Sequence, residues 1–194
     1  LACGSGVEIE ANVVIDGDVT LGHGVKLGAN SIIRSASIGD HTCSYPFSVV
    51  EHATIGARGL LGPYGRIRPG STLGDGVQIG NFVEIKNSQI GAGSRINHHA
   101  FIGDARLADR VTVGAGTITC NHDGTGTTET VIEEGAYIGS ACSLVAPLHI
   151  GAGATIGAGS TITQDVPAAK LTLARTRQTT IADWRGPRSR RQKQ

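Results

Sequence analysis

Arg68 and Lys86 each stand directly after an isoleucine, Ile67 and Ile85, in stretches of sequence that repeat one another. If those stretches are neighbouring strands, two positive side chains are stacked about 4.8 Å apart. Like charges that close repel, and an anion such as a phosphate would relieve them. The plainer alternative is a pair of solvated corner residues, which a corner otherwise mostly free of charge would argue against. A second group able to do chemistry is His98, in Ile96-Asn97-His98-His99-Ala100-Phe101. A neutral imidazole there could accept a proton, because histidine titrates near working pH. A single surface histidine is more often simply solvated, and that is the reading for His23, His41, His52 and His149. A three-histidine zinc site would need three rings converging on one point. His98, His99 and His122 are the cluster available, their register offers no tetrahedral set, and no metal is expected.

These groups must be held by a repeat. An aliphatic residue returns at nearly every sixth position, as in Ile67, Leu73, Ile79, Ile85, Ile90, Ile96 and Ile102, and again from Ile132 to Ile162. Only Ser44 and Thr119 stand in that register without being aliphatic. Glycine most often follows, and a small or β-branched residue such as Val25, Ser31, Val77, Ser94, Ala154 or Ser160 comes four places after. A hexapeptide period of this kind marks a parallel β-helix. The aliphatic side chain is expected to point inward and stack on its counterpart. The small residue is expected to fill the narrow interior. Glycine is expected at the corner because the dihedrals there would oppose a side chain. The register slips to five residues at Ile33 to Ile38, Val50 to Ile55, Ile85 to Ile90 and Ile102 to Leu107, all on one side of a triangle. The fold class is therefore all-β, one three-sided tube with coils of about eighteen residues rising by about 4.8 Å. The tube should span 1–167 with an inserted loop at 119–131, polar and turn-rich, followed by a C-terminal arm and basic tail over 168–194. Loops on a rigid scaffold commonly carry function.

Aligning the sides produces a column. His98, Ala115, Ser140 and Ala158 are each the second residue after Ile96, Val113, Ile138 and Ile156, so they line one edge in successive coils. Three steps span about 14 Å. Above His98 the column is small-sided, a groove for a long thin ligand beside a base, and an extended pantetheine arm has that shape. Ordinary repeat filler also favours Ala and Ser there.

The rest of the composition narrows the field. Twenty-nine glycines against three Phe, three Tyr and one Trp suit a stacked tube better than an aromatic core. A formal charge of +1 implies no bulk attraction to nucleic acid or membrane. Cys3, Cys43, Cys120 and Cys142 make no CxxC pair, which favours free thiols in a reducing cytoplasm. No stretch reads as a signal peptide or a bilayer span. The chain lacks methionine and begins Leu-Ala-Cys, which suggests a domain of a longer protein. The basic end could touch nucleic acid, but a short solvated tail is the reading preferred. An ice-binding face would need a regular threonine ladder, and the threonines read as scattered.

Five segments in order, GRIRPG (65–70), GNFVEIKNS (80–88), INHHAFIGDA (96–105), VGAGTITCNHDG (113–124) and GSACSLVAP (139–147), resemble the C-terminal acetyltransferase domain of the GlmU family. Those bifunctional bacterial enzymes join glucosamine-1-phosphate N-acetyltransferase to N-acetylglucosamine-1-phosphate uridyltransferase. The likeness runs to LTLARTRQTTIADW (171–184). It implies a left-handed parallel β-helix, an exception to the right-handed crossover rule, and homotrimers with sites between neighbouring tubes. It implies His98 as catalytic base and Arg68 and Lys86 as sugar-phosphate ligands. It implies Ala115, Asn121, His122, Ser140, Ala158 and Arg175 as acetyl-CoA contacts. Phe101 stands where the family usually has Tyr, Thr112 where it has Asn, Thr127 where it has Lys, and His122 where it has Tyr. The first three belong to acceptor binding, so the donor side matches better than the acceptor side. The expected activity is acetyl transfer from acetyl-CoA to the amine of glucosamine-1-phosphate, supplying UDP-N-acetylglucosamine for cell-wall precursors. The uridyltransferase activity and its Mg²⁺ site are not expected here. The alternatives are another amino-sugar acceptor or a non-catalytic trimeric scaffold.

Overall fold

The computed structural model describes residues 1–184. Among them twenty-eight short strands form three parallel sheets of nine, ten and nine strands, with no helix. Every strand up to Thr161–Ile162 pairs with the third strand before or after it, and Leu171–Thr172 with the second before it, so the chain winds as a three-sided parallel β-helix whose hexapeptide repeat fits the left-handed form. The three sheets are its faces. The first face runs from Ala2–Cys3 to Leu148–Ile150, the second from Glu8–Ile9 to Leu171–Thr172, and the third from Val14–Asp16 to Thr161–Ile162.

The hexad positions behave as their side chains require. Ile79, Ile96, Val113, Ile138 and Ile156 stack in one register on the second face. Ile67, Ile85 and Ile102 do the same on the third. All eight are buried, each contributing about 1.5–3 kcal/mol of burial. Val25, Ser31, Val77, Ser94, Ala154 and Ser160 are buried too. The five-residue slips fall between the third and first faces, where Ile33 and Ile38 or Ile102 and Leu107 flank one corner. Ile9 departs from the pattern at 45% exposed, because it belongs to the first strand of the second face and no coil lies beneath it.

Gly62, directly after Leu61, takes the positive φ expected of a corner glycine (83), but others serve a different purpose. Gly114 and Gly139, directly after Val113 and Ile138, do not have positive φ. A Cβ on Gly114 would lie 2.5 Å from the Ser140 nitrogen, and one on Gly139 would lie 2.5 Å from the Ala158 nitrogen. Close approach of the next coil excludes the side chain there. The positive dihedral comes two residues later, at Gly116 (φ 74) and Ala141 (φ 54).

Three further details bear on the site. Thr119 is buried, and its hydroxyl accepts from Gly103 N (2.8 Å) and donates to Gly103 O (3.0 Å), pinning the backbone beside Phe101. The inserted loop is shorter than its sequence limits, since Ile118–Cys120 and Thr130–Ile132 are strands. The threonines are less scattered than they read: Thr20, Ser37, Thr54 and Thr72 share one column of the first face, which Gln89 and Arg106 then interrupt. Beyond Pro167 one more rung forms, where Leu171–Thr172 pairs with Thr155–Ile156. The basic end, residues 185–194, lies outside the described residues.

Candidate active site

His98 ends the strand Arg95–His98 at the corner between the second and third faces. Its side chain is exposed, and Nδ1 lies 3.1 Å from Oδ1 of Asn81, its register partner one coil below. With that oxygen as acceptor, Nδ1 carries the proton and Nε2 keeps the lone pair a base needs. Ala115, Ser140 and Ala158 continue the same corner coil by coil. The rungs are tied by Ala141 N to Ala115 O (2.7 Å) and Gly159 N to Ser140 O (2.8 Å). All three are exposed.

From this corner the third face opens into a shallow recess of about 270 Å³, lined by Phe82, Glu84, His99, Phe101 and Ile118. The Phe101 ring lies over Gly103, where a Cβ would meet the ring at 2.6 Å. Phe82 ends an exposed stack of rings with Tyr64 and Phe47, centroids 5.2 and 5.1 Å apart. An apolar floor with one carboxylate suits a flat polar ring lying on it.

Arg68 and Lys86 stand at the far corner, between the third and first faces, in register as expected. Charge does not set these two residues apart at their corner. Asp16, Arg34 and Glu51 occupy the same slot in the preceding coils, so that corner does not avoid charge. Nor do the two cations face each other bare. Arg68 Nη1 binds Glu84 Oε1 at 2.8 Å, and Lys86 Nζ lies 3.4 Å from Asp104 Oδ2. Their repulsion is already relieved within the chain, so stacking alone does not demand an anion.

Above Lys86 the loop after Cys120 carries Asn121 and His122. Asn121 is buried, and its Nδ2 donates to Asp104. His122 Nδ1 accepts from Gly124 N (2.9 Å), and His122 forms an antiparallel bridge with Thr127. Asp123 caps the turn, with one oxygen accepting from Thr125 N, Gly126 N and the Thr125 hydroxyl, each at 2.8 Å. The backbone bonds from Thr125 and Gly126, with the Thr125 hydroxyl, pull its carboxyl down from 3.8 to about 2. A depressed carboxylate stabilises the fold above its unfolded value and loses that contribution as pH falls through the folded one. The loop should therefore stay ordered above about pH 4 and loosen towards pH 2. Hydrogen exchange of the Thr125 and Gly126 amides checks this, and protection unchanged across that window would refute it.

Thr112 is not brought to the recess. It lies on the second face, paired with Arg95 and Tyr137, whereas Phe101 lies on the third. Arg175 reaches back from the arm, where Nη1 donates to Ala158 O at 2.9 Å. Asn81, Glu84, Asn87 and Asp104 were missed in the sequence. Asn81 holds the column slot under His98, and Asn87, Asp104 and Asn121 are each the second residue after Ile85, Ile102 and Thr119. Reading that second column would have found Asn87 and Asp104 beside Asn121. Among the described residues no three His, Cys, Asp or Glu side chains group as a metal site would, and no helix is long and apolar enough to cross a membrane.

The model of the bacterial transferase hexapeptide family (six repeats) matches residues 3–35 and 129–164. The chain is 51% identical over 187 residues to the bifunctional protein GlmU of Ralstonia nicotianae, and 52% identical to that of Ralstonia pickettii. Each match covers 96% of this chain and 41% of the relative, so the chain spans about two fifths of the length of these relatives. Among solved structures, the UDP-N-acetylglucosamine O-acyltransferase LpxA from Moraxella catarrhalis is similar, with a TM-score of 0.47 at 16% identity over 90% of this chain and 72% of that one. The repeat, the tube it builds and a half-identical sequence over nearly its whole length have one meaning: the chain belongs to the hexapeptide-repeat transferases and corresponds to the C-terminal part of the GlmU proteins.

Proposed function

We propose that this chain transfers acetyl from acetyl-CoA to the amine of glucosamine-1-phosphate, on the path to UDP-N-acetylglucosamine. One observation carries the reading: His98 stands at the foot of an exposed small-sided column, in register over four coils, in a chain half identical to GlmU proteins. The pantetheine arm would lie along Ala115, Ser140 and Ala158, with Asn121, His122 and Arg175 around it. The sugar would lie in the recess over Phe101, its phosphate towards Arg68 and Lys86. His98 Nε2 takes a proton as the amine nitrogen attacks the thioester carbonyl. The C–N bond forms, the C–S bond breaks, and the proton passes to the departing thiolate. Proton transfer by a positioned base contributes about 10²–10⁴ in rate.

The site would be completed between tubes of a homotrimer. Thr112 and Phe101 lie on different faces of one tube, an arrangement that accords with a sugar site shared between neighbouring tubes. The arm from 168 onwards exposes Leu173, Ile181 and Trp184 at 52%, 68% and 62%, as a segment laid on another copy would. A cytoplasmic location accords with these substrates. A different amino-sugar acceptor is the second reading, favoured by Thr127, which engages His122 and brings no cation to the acceptor.

Amino-sugar phosphates offered with acetyl-CoA and a free-thiol readout test both readings. Arg68→Ala and Lys86→Ala should each raise KM for glucosamine-1-phosphate about tenfold or more and leave KM for acetyl-CoA near its parent value. Equal effects on both substrates would remove the phosphate role, and a preference for an uncharged or different amino sugar would favour the second reading.

A further inference from the structure

Asp104 is a charged group that the reaction just described does not use, yet its carboxylate is nearly enclosed, with the side chain 11% exposed. It sits at positive φ (48) at the turn after Gly103. Oδ1 accepts from Asn87 Nδ2 at 2.6 Å. Oδ2 accepts from Asn121 Nδ2 and faces Lys86 Nζ at 3.4 Å. Its backbone carbonyl accepts from Thr130 N at 3.2 Å. One residue therefore holds the lysine assigned to the sugar phosphate, the asparagine assigned to the donor at the loop's start, and the strand where that loop returns. Burial pushes the carboxyl up, but the bonds from Asn87 and Asn121 and the Lys86 ammonium outweigh it, and the group stays ionised below the usual carboxylate range.

We infer that Asp104 is a positioning residue shared by the two substrate subsites, aiming Lys86 at the acceptor and fixing Asn121 and its loop for the donor. This rests on the acetyl-transfer reading above. A carboxylate has two oxygens and no donor, so it can take all three N–H groups at once. An amide of the same shape has one oxygen and would turn its own NH₂ towards Asn87, or towards Asn121 and Lys86. Asp104→Asn thus keeps the volume and breaks the knot at either end.

The test compares Asp104→Asn with Lys86→Ala and Asn121→Ala in the chain as it stands. Asp104→Asn should raise KM for acetyl-CoA and for glucosamine-1-phosphate, each by about tenfold, as loss of charge-assisted bonds implies, with kcat changed by less than about threefold. Lys86→Ala should raise only the acceptor KM, and Asn121→Ala the donor KM. Combining Asp104→Asn with Asn121→Ala should add little to the donor KM, because the first acts through the second. A purely structural role would lower the melting temperature and leave both KM values at the parent level, which overturns the inference. A rise in the acceptor KM alone overturns it too, since Asp104 would then be only a counter-ion of the lysine. Should Asp104→Asn fail to fold, Asp104→Glu carries the test, because it retains the charge but moves the carboxylate out by one methylene. Unchanged KM values there have the same consequence. If the parent chain binds no acetyl-CoA by calorimetry and transfers no acetyl, the reading beneath fails and the inference with it. Parent activity with unaltered variants sinks the inference alone.

Discussion

Replacing His98 with Ala should cut acetyl transfer at least about a hundredfold, the contribution expected of a positioned general base. Assembly and melting temperature should scarcely move. The ring is exposed, and among the described residues its one side-chain hydrogen-bond partner is Asn81 at 3.1 Å, so removing it opens no cavity and strands no buried group. Asn81→Ala should cost less than His98→Ala, because it only frees the tautomer that the bond to Nδ1 selects. His99→Ala is the informative control. His99 lies beside His98 in sequence but one step round the corner, at φ 45, stacked in the column of Phe82 and Gly116. If His98→Ala turned over near the parent rate, His98 would not be the base, and His99 would be the next candidate. A decline shared equally by the two variants would point to a disturbed corner and not to a proton acceptor.

The tube was legible because its period is enforced by packing. Inward Ile, Leu and Val stack on one another from coil to coil, with Ser44 and Thr119 the polar exceptions, so the register from Ile79 to Ile156 could be read from spacing and recurs unchanged in the strand pairings. The column above His98 was legible for the same reason, since a side chain's position along the chain sets its edge of the triangle. What spacing could not supply was the partner of each polar group. Arg68 and Lys86 read as a lone cationic pair, because Glu84 lies on the strand that pairs with Arg66–Ile67 and Asp104 lies one coil beyond Lys86. Contacts that run along the tube join residues roughly one coil apart in sequence, and a reading confined to the hexad misses them. The glycine rule failed in a related way. Gly114 and Gly139 answer to the backbone of the next coil, at Ser140 for Gly114 and at Ala158 for Gly139, and neither has the positive φ that calls for glycine. Thr112 was placed with the acceptor by resemblance, yet its strand faces a different side of the tube from Phe101. That separation accords with a neighbouring tube being part of the proposed site.

Ala158→Trp should abolish donor binding without unfolding the protein. Ala158 is exposed at the last column position, and its neighbours below, Ser140 and Ala115, are small. An indole there would occupy the groove proposed for the pantetheine arm, beside the Arg175 guanidinium that bonds the Ala158 carbonyl at 2.9 Å. That bond uses the backbone, so the substitution leaves its acceptor in place. Ala158 is exposed to solvent, unlike Gly139, where an added Cβ would meet Ala158 N at 2.5 Å. The folded state should therefore change by no more than about 0.5 kcal/mol, as for most surface substitutions. Acetyl-CoA affinity should fall by about a hundredfold or more, equivalent to roughly 2.8 kcal/mol. Ala158→Ser is the matched control and should bind normally, because Ser140 already shows that a hydroxyl fits this column. Calorimetry with acetyl-CoA and a melting curve on each variant separate the outcomes. Parent-like binding by Ala158→Trp would mean that the donor does not run along this edge, and the small residues there would be nothing more than what the repeat needs.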